Sequence, residues 1–539
     1  MTFSEIQSRI SEIVNDKSAT AADYLAVSKK LAGMGGVPAY FRKIRAAFLS
    51  SYTIQGLPEV FRARAVFHNL VAEVYDAPYA QISQEIFNKD SGLYAFAPDI
   101  IYIFAEQKDF LSSAHLEELI EVLKSKTKAR VVLGIAGDER GGAESKGYYN
   151  FNFDDFLAKV GREENWYTKY KDLGDMRLAP QAFPKLAEGL LAYAVAASGN
   201  TKKCLIVDLD NTLWSGVVGE DGLGGIVPNK KLQEYLLGLY KRGVVLAINS
   251  KNNLEDALEA IDKHPDMLLR RDHFAAWRIN WNSKDWNITE LAEELSLGTD
   301  SFVFIDDDYL NISLIRANES SVAVMHPDQV FDYAGFHSFA LTDEDARRGE
   351  MYVEERRRKE HKERFKSPEE FLRDLKMEVA IARVSEESVA RASQLTQKTN
   401  QFNLTTRRYS EDEIRKFIKG GWGIWTVGAK DVFGDYGIVG LAMFHPSEAR
   451  LDNFLLSCRV LGRGIENVFL AHIFREAKKD GVMKLAAEFI PTKKNKPAEK
   501  FLPEAGFLIV KKDGTAELYE YDLSKEYRVP EYVKMTTVI

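Results

Sequence analysis

Four polar groups stand, in one order along the chain, at the ends of short apolar runs. Asp208 and Asp210 follow Cys204-Leu205-Ile206-Val207, with Thr212 just beyond. Ser250 closes the run from Val244 to Ile248, and Lys284 sits in Trp281-Asn282-Ser283-Lys284. Asp306 and Asp307 follow Phe302-Val303-Phe304-Ile305. Aspartates at i and i+2 of an extended segment share one face, close enough to hold a hard cation between carboxylate and backbone oxygens. A carboxylate beside such a cation can attack phosphorus and form an aspartyl-phosphate. An isolated DxD pair would suit a helix N-cap and a turn equally well. Four such groups in one order, each at the mouth of an apolar run, are not what a structural accident would give.

The runs themselves are the elements that must position these groups. A short apolar run bounded by charge predicts a buried strand of a parallel sheet, and open α/β sheets bind ligands beyond the carboxyl ends of their strands. Asp208 and Ser250 are 42 residues apart, and Ser250 and Lys284 are 34 apart. The first interval holds a loop, a helix near Lys230 to Arg242 and a strand; the second holds another helix and strand. Neither leaves room for a cap domain. The site therefore accepts a phosphate carried on something large, or another part of the chain covers it. Gly222, Gly224 and Gly225 predict a turn-rich flap beside Asp210 that contacts substrate.

The run Val207-Asp208-Leu209-Asp210-Asn211-Thr212-Leu213-Trp214-Ser215-Gly216-Val217-Val218-Gly219-Glu220-Asp221-Gly222 resembles the haloacid-dehalogenase (HAD) superfamily, and within it subfamily IIIC, the FkbH-like proteins. The resemblance implies Asp208 as nucleophile, Asp210 as general acid/base, Ser250 on the phosphoryl oxygens and Lys284 against the developing charge. It implies Mg²⁺ held by the carboxylates of Asp208, Asp306 and Asp307 and the carbonyl of Asp210. One departure is visible: where the family continues with Asn, Pro and a Glu-Arg pair, this chain reads Asp308-Tyr309-Leu310-Asn311-Ile312.

A chain of 539 residues predicts several domains. Its apolar content of 45% and charged content of 28% are ordinary for globular proteins. A formal charge of −8 argues against a nucleic-acid partner. Two cysteines exclude a disulfide framework and suit a reducing, cytoplasmic setting. The N-terminal residues lack a basic and apolar leader, and no apolar run is long enough to span a membrane.

Residues 1–40 read as helical. A strand and turn over Ala46–Thr53 and strands at Ile100–Phe104 and Val131–Ile135, separated by helical lengths, predict an α/β unit over residues 1–195. Phe48-Leu49-Ser50-Ser51-Tyr52-Thr53 is similar to the SGNH-hydrolase-like domain that FkbH-like proteins often carry. Ser50 or Ser51 would be its nucleophile, but Gly174-Asp175-Met176-Arg177-Leu178 lacks the histidine such a site needs. His68 and His115 read as surface or helix-packing residues, so the domain is expected to be non-catalytic. A helix at 182–198 ending on Gly199-Asn200 leads into the HAD-like domain, 196–342, which is capless and built on a Rossmann-like parallel sheet. Residues 343–376, rich in both charge signs, predict a solvated connecting helix.

From 377 to 539 an α+β domain is expected. Arg459, Gly462 and Gly464 fit R/Q-x-x-G-x-G at a strand-to-helix junction, where backbone N–H groups can cradle an anion. This resembles the GNAT acyltransferase fold, and it implies a loop of Arg459, Gly462, Arg463 and Gly464 for phosphopantetheine or coenzyme A. Cys458, next to that loop, is a candidate acyl acceptor; Cys204 belongs to the core. The whole-chain resemblance implies transfer of a glyceryl group from a phosphorylated acyl donor such as 1,3-bisphosphoglycerate to an acyl-carrier-protein thiol, coupled to phosphate removal. Two other readings stay open. One is a phosphatase for another phospho-metabolite with a binding-only GNAT-like domain, and the other is a non-catalytic assembly protein.

Overall fold

The computed structural model describes residues 2–16, 18–31, 33–110, 113–137, 147–172, 174–339 and 343–538. Two compact units emerge, Met1–Val353 and Glu354–Ile539. The expected boundary at 342 lies outside the described residues.

The first unit contains two five-stranded parallel sheets. One is formed by β1 (Arg42–Ser50), β2 (Leu70–Asp76), β3 (Ile100–Glu106), β4 (Arg130–Ala136) and β5 (Tyr149–Asn150), in the order β2-β1-β3-β4-β5. Strand β1 is apolar on both faces because both are covered. Ala46 and Phe48 enter one core layer, and Ala47 and Leu49 enter the opposite one. The helix Phe183–Ser198 packs in the first of these layers and ends on Gly199 at φ 71°, a left-handed cap that glycine adopts without strain.

The second sheet follows the strand–site pattern read from the sequence. Its chain order is β6 (Cys204–Val207), a small antiparallel pair β7 (Trp214–Ser215) and β8 (Val227–Pro228), then β9 (Val245–Ser250), β10 (Phe274–Ile279), β11 (Phe302–Ile305) and β12 (Ala323–Met325). The spatial order is β10-β9-β6-β11-β12, with all neighbours parallel. All four residues of β6 are buried, Leu205 and Val207 on one face and Cys204 and Ile206 on the other. After β6 the chain builds outward on one side through β9 and β10, then returns to the other through β11. The switch point of the sheet therefore lies between β6 and β11, where a ligand crevice opens.

The second unit is a mixed nine-stranded sheet. Its strands are β13 (Glu378–Arg383), β14 (Phe402–Asn403), β15 (Gly423–Lys430), β16 (Asp435–His445), β17 (Arg450–Leu456), β18 (Lys484–Phe489), β19 (Leu508–Asp513), β20 (Ala516–Asp522) and β21 (Lys534–Val538). The order is β19-β20-β18-β17-β16-β15-β13-β21, with β14 paired to β17. Only β17–β18 and β13–β21 are parallel. The chain is thus a multidomain α/β protein with two parallel sheets and one mixed sheet, and no described helix is long and apolar enough to cross a membrane.

Two local expectations change. The glycine-rich flap is largely helical, Val218–Gly225, between β7 and β8; it breaks at Gly222, whose φ of 65° and ψ of −179° no helix accommodates. The charged helix Arg348–Lys362 is not solvated all round. Arg358 is buried, and its guanidinium meets both carboxylate oxygens of Asp431 at 2.7 and 3.0 Å. A buried guanidinium needs such a partner, so this part of the helix is an anchor of the second unit.

Candidate active site

Register brings the sequence candidates together. Ile305 pairs with Val207, so Asp306 and Asp208 leave adjacent strands level with one another. Ile248 also pairs with Val207, which sets Ser250 one residue further along the other neighbour. Lys284 opens the helix Lys284–Leu295. Buried Asn249 fixes that start: its Nδ2 donates to the Lys284 carbonyl at 2.8 Å, and its Oδ1 accepts from Asn287 Nδ2 at 2.9 Å.

The result is a buried charge cluster. Lys284 Nζ lies 2.8 Å from Asp208 Oδ1 and 2.6 Å from Asp306 Oδ2. Oxygens of Asp208, Asp306 and Asp307 lie within 4.8 Å of one another. Two carboxylates thus share one ammonium, with the third beside them. Burial pushes Asp208 up to about 6, with the Lys284 ammonium and the Ser250 hydroxyl pulling it down. Burial and the neighbouring Asp306 carboxylate likewise raise Asp307. Lys284 is raised as well: burial opposes its charge, but the Asp208 and Asp306 carboxylates hold the proton on. A set of hard carboxylate oxygens with negative charge in excess fits Mg²⁺, and Asp208, Asp306 and Asp307 would hold it, with the Asp210 carbonyl on the same turn.

Asp210 is oriented separately. Its Oδ1 accepts from Trp214 Nε1 at 2.8 Å and from the Val218 N–H at 3.1 Å, while Oδ2 accepts from Asn252 Nδ2 at 3.0 Å. The turn that follows it runs through Asn211 at φ 56°, a left-handed position that Asn tolerates. The Trp214 and Val218 contacts give the β7–helix–β8 flap a definite task, since it clamps the carboxylate next to the nucleophile candidate.

Several partners were not singled out in the sequence. Thr212 Oγ1 accepts from the Asp307 N–H at 3.1 Å and lies 3.2 Å from Asp307 Oδ1. Asn311 Nδ2 reaches both Asp306 oxygens at 3.3 Å, and the Asp308 N–H donates to Asp306 Oδ1 at 2.8 Å. Asp308 also caps the following helix, Tyr309–Asn318. The departure after Asp307 therefore keeps Asp306 fixed by other donors. Thr212 and Asn252 were visible as polar neighbours of the motif; Asn311 had no signal in the sequence.

Large apolar side chains crowd this edge of the sheet. Trp281, Trp286, Tyr309 and Leu310 are each more than half exposed. A cavity of about 450 Å³ lined by Asn252, Asn253, Leu254, Asn280 and Trp281 adjoins the Asn252 that holds Asp210.

The first sheet has its own switch point, between β1 and β3, and Ser50 and Ser51 lie there. Ser51 Oγ donates to Asp109 Oδ2 at 2.5 Å, and Arg177 bonds Asp109 at 2.6 Å, Glu106 at 2.9 Å and Asp175 at 3.1 Å. Arg177 and Ser51 thus share the Asp109 carboxylate. The histidines are elsewhere. His115 lies 3.1 Å from Ser83 Oγ, and His68 is buried, 2.9 Å from Glu188 and stacked on Tyr333. His68 is thus neither a surface nor a plain helix-packing residue; it packs against the Glu188–Arg64 ion pair.

In the second unit, Cys458 is exposed in the 3₁₀ turn Cys458–Val460 that follows β17. Gly462 and Gly464 have φ of 72° and 81° and precede the helix Ile465–Lys479. A Cβ at Gly464 would also meet Pro530 and Tyr532 at 2.9 and 3.1 Å, so packing demands glycine there as much as backbone conformation does.

No family model and no curated protein matches the chain. Among solved structures, an N-acetyltransferase from Staphylococcus aureus is 18% identical, with a TM-score of 0.21, over 27% of this chain and 98% of its own. The ribosomal-protein-S18-alanine N-acetyltransferase of Escherichia coli is 15% identical, with a TM-score of 0.22, over 28% of this chain and 96% of its own. The N-terminal part of BF1531 from Bacteroides fragilis, described as containing a phosphatase domain complexed with Mg, is 24% identical, with a TM-score of 0.50. That match covers 60% of this chain and 100% of the other. Over that length the chain shares the fold of that protein.

Proposed function

We propose that this chain is a Mg²⁺-dependent phosphatase of the aspartyl-phosphate type, coupled to transfer of a glyceryl group from a donor such as 1,3-bisphosphoglycerate to an acyl-carrier-protein thiol. The observation that carries the phosphatase reading is the cluster of Asp208, Asp306 and Asp307, with the Lys284 ammonium paired to Asp208 and Asp306. Bound Mg²⁺ would supply charge stabilisation on the phosphoryl oxygens. Asp208 forms a bond to phosphorus as the ester oxygen leaves with a proton from Asp210. Asp210 then takes a proton from water, whose oxygen attacks phosphorus and releases Asp208 and inorganic phosphate. Ser250 and Lys284 orient and neutralise the transferred group.

The coupled transfer is supported by the family resemblance, by the exposed thiol of Cys458 and by the exposed apolar side chains at the site's edge. A thiolate attacks the acyl-phosphate carbonyl, phosphate leaves, and a thioester forms. The remaining phosphate monoester is then a substrate for Asp208. Exposed apolar surface beside an uncapped site suits a substrate presented on a protein.

Intact-mass measurement of the chain and of candidate carriers tests this, after incubation with Mg²⁺ and 1,3-bisphosphoglycerate generated in place. A glyceryl adduct on the carrier, lost in Asp208→Asn or Cys458→Ala, supports coupled transfer. Phosphate release without an adduct leaves a phosphatase alone. Full function in a folded Asp208→Asn protein would remove the catalytic reading.

A further inference from the structure

The loop Arg459–Gly464 has the form of an anion cradle, to which the GNAT-like resemblance assigns coenzyme A. Its residues do not fit that cofactor. The group that faces the backbone N–H of Gly462, Gly464 and Glu466 is the chain's own Glu466 carboxylate. Burial pushes this carboxyl above its usual range and the three N–H groups draw it down. One of its oxygens, Oε2, is buried without a hydrogen-bonding partner. A diphosphate entering here would meet a like charge in the position its own oxygens need. One of the loop's two cations is committed to carboxylates as well. Arg463 bonds Glu355 at 2.9 and 3.1 Å and the Tyr436 hydroxyl, and lies 3.9 Å from Asp431.

A second observation is independent of the loop. Strands β17 and β18 pair only at Arg450–Ala486 and Leu451–Ala487 and then separate. An extended thioester arm would need the main-chain edge exposed in such a gap. The chain's own segment occupies it. Phe402 and Asn403 pair with Leu456 and Leu455, and the Leu404 N–H donates to the Phe454 carbonyl at 3.1 Å. On the other side the Ile490 N–H donates to the Leu404 carbonyl at 2.9 Å, and Asn495 Nδ2 donates to the Asn403 carbonyl at 3.0 Å. Phe402, Asn403, Leu404 and Thr405 are all buried.

We infer that the C-terminal unit takes no free coenzyme A, because its phosphate cradle holds the Glu466 carboxylate and its strand gap holds residues 402–405. The inference does not rest on the phosphatase reading, and neither outcome below alters that reading.

Calorimetric titration of the full chain with coenzyme A and acetyl-coenzyme A tests it. The wild-type chain is expected to show no saturable binding at ligand concentrations up to about 1 mM. Glu466→Gln keeps the side chain's shape and removes the charge, and is expected to raise the affinity of the cradle for inorganic pyrophosphate by about tenfold or more. Saturable wild-type binding of coenzyme A that pyrophosphate displaces would overturn the inference. A folded Glu466→Gln chain with no gain for pyrophosphate would overturn Glu466 as the cradle's occupant, and thermal unfolding of the variant reports whether it is folded.

Discussion

The first unit holds two parallel sheets of equal strand number, and each gathers charged side chains at its switch point. Their charge balance differs. At the first, Arg177 bonds Asp109, Glu106 and Asp175, and Lys108 lies 2.9 Å from Glu106. Despite partial burial, Asp109 is held below the usual carboxylate range by Ser51, the Glu106 N–H and Arg177. At the second, Lys284 pairs with Asp208 and Asp306, Asp307 stands beside them, and Asp208 and Asp307 are both raised. A compensated cluster stabilises the fold, whereas carboxylates left short of positive charge are strained without a cation and poised to bind one.

Replacing Asp208 with Asn should separate the two most sharply. Phosphate release is expected to fall by about 10⁴-fold or more, while the melting temperature of the metal-free protein does not drop, because a disfavoured charge is gone. A large loss of stability in Asp208→Asn would show that the second cluster is structural after all. Arg177→Ala should act in the opposite sense. It leaves the Asp109, Glu106 and Asp175 carboxylates unpaired and is expected to destabilise the unit by about 3 kcal/mol, with turnover per folded molecule unchanged. Parallel unfolding and activity assays check both.

Mg²⁺ should bind only the second cluster. At about 100 times its dissociation constant it is expected to add about 2.7 kcal/mol of stability, seen as a rise in melting temperature that Asp306→Asn abolishes and Arg177→Ala retains. Acid and base should also tell the clusters apart in metal-free protein. The folded Asp109 lies below 3.8, so its stabilisation is present above that value and lost as pH falls through it. The folded Asp208 lies near 6, so its contribution is present below 3.8 and lost as pH rises through about 6. Each slope is at most about 1.4 kcal/mol per pH unit, and Asp208→Asn should erase only the second in melting curves taken against pH. The smallest effect is expected from Ser51→Ala, about 1 kcal/mol or less from one lost hydrogen bond. Any ester hydrolysis by the wild type should be unchanged in this variant, and a selective loss would restore the first switch point as a reactive site.

Much of this was legible in the sequence, and the reasons are local. Cys204–Val207 and Phe302–Ile305 are apolar on both faces, a pattern that few structures other than a central parallel strand satisfy. The helix Lys230–Lys241 and the cap at Gly199 were readable from periodicity and glycine placement. The flap was harder, because Gly222, Gly224 and Gly225 signal turns and only Gly222 breaks the helix. The charged connector hid an anchor because mixed charge reads as solvent exposure, while the partner of Arg358, Asp431, lies 73 residues away.

The residues themselves determined which chemistry was available: carboxylates, a serine and a lysine at the ends of strands that had to be buried and parallel. Tertiary structure alone decided how each charge is answered. Electrostatic energy depends on separation and on the surrounding dielectric, and neither is written in sequence spacing. Asp109 and Asp208 are the same residue type at equivalent ends of similar sheets; one meets Arg177 and is stabilised, and the other shares Lys284 with Asp306 and is not. The same reasoning applies to Gly462 and Gly464. Their spacing predicts an anion cradle, and only the fold reveals that Glu466 lies within it.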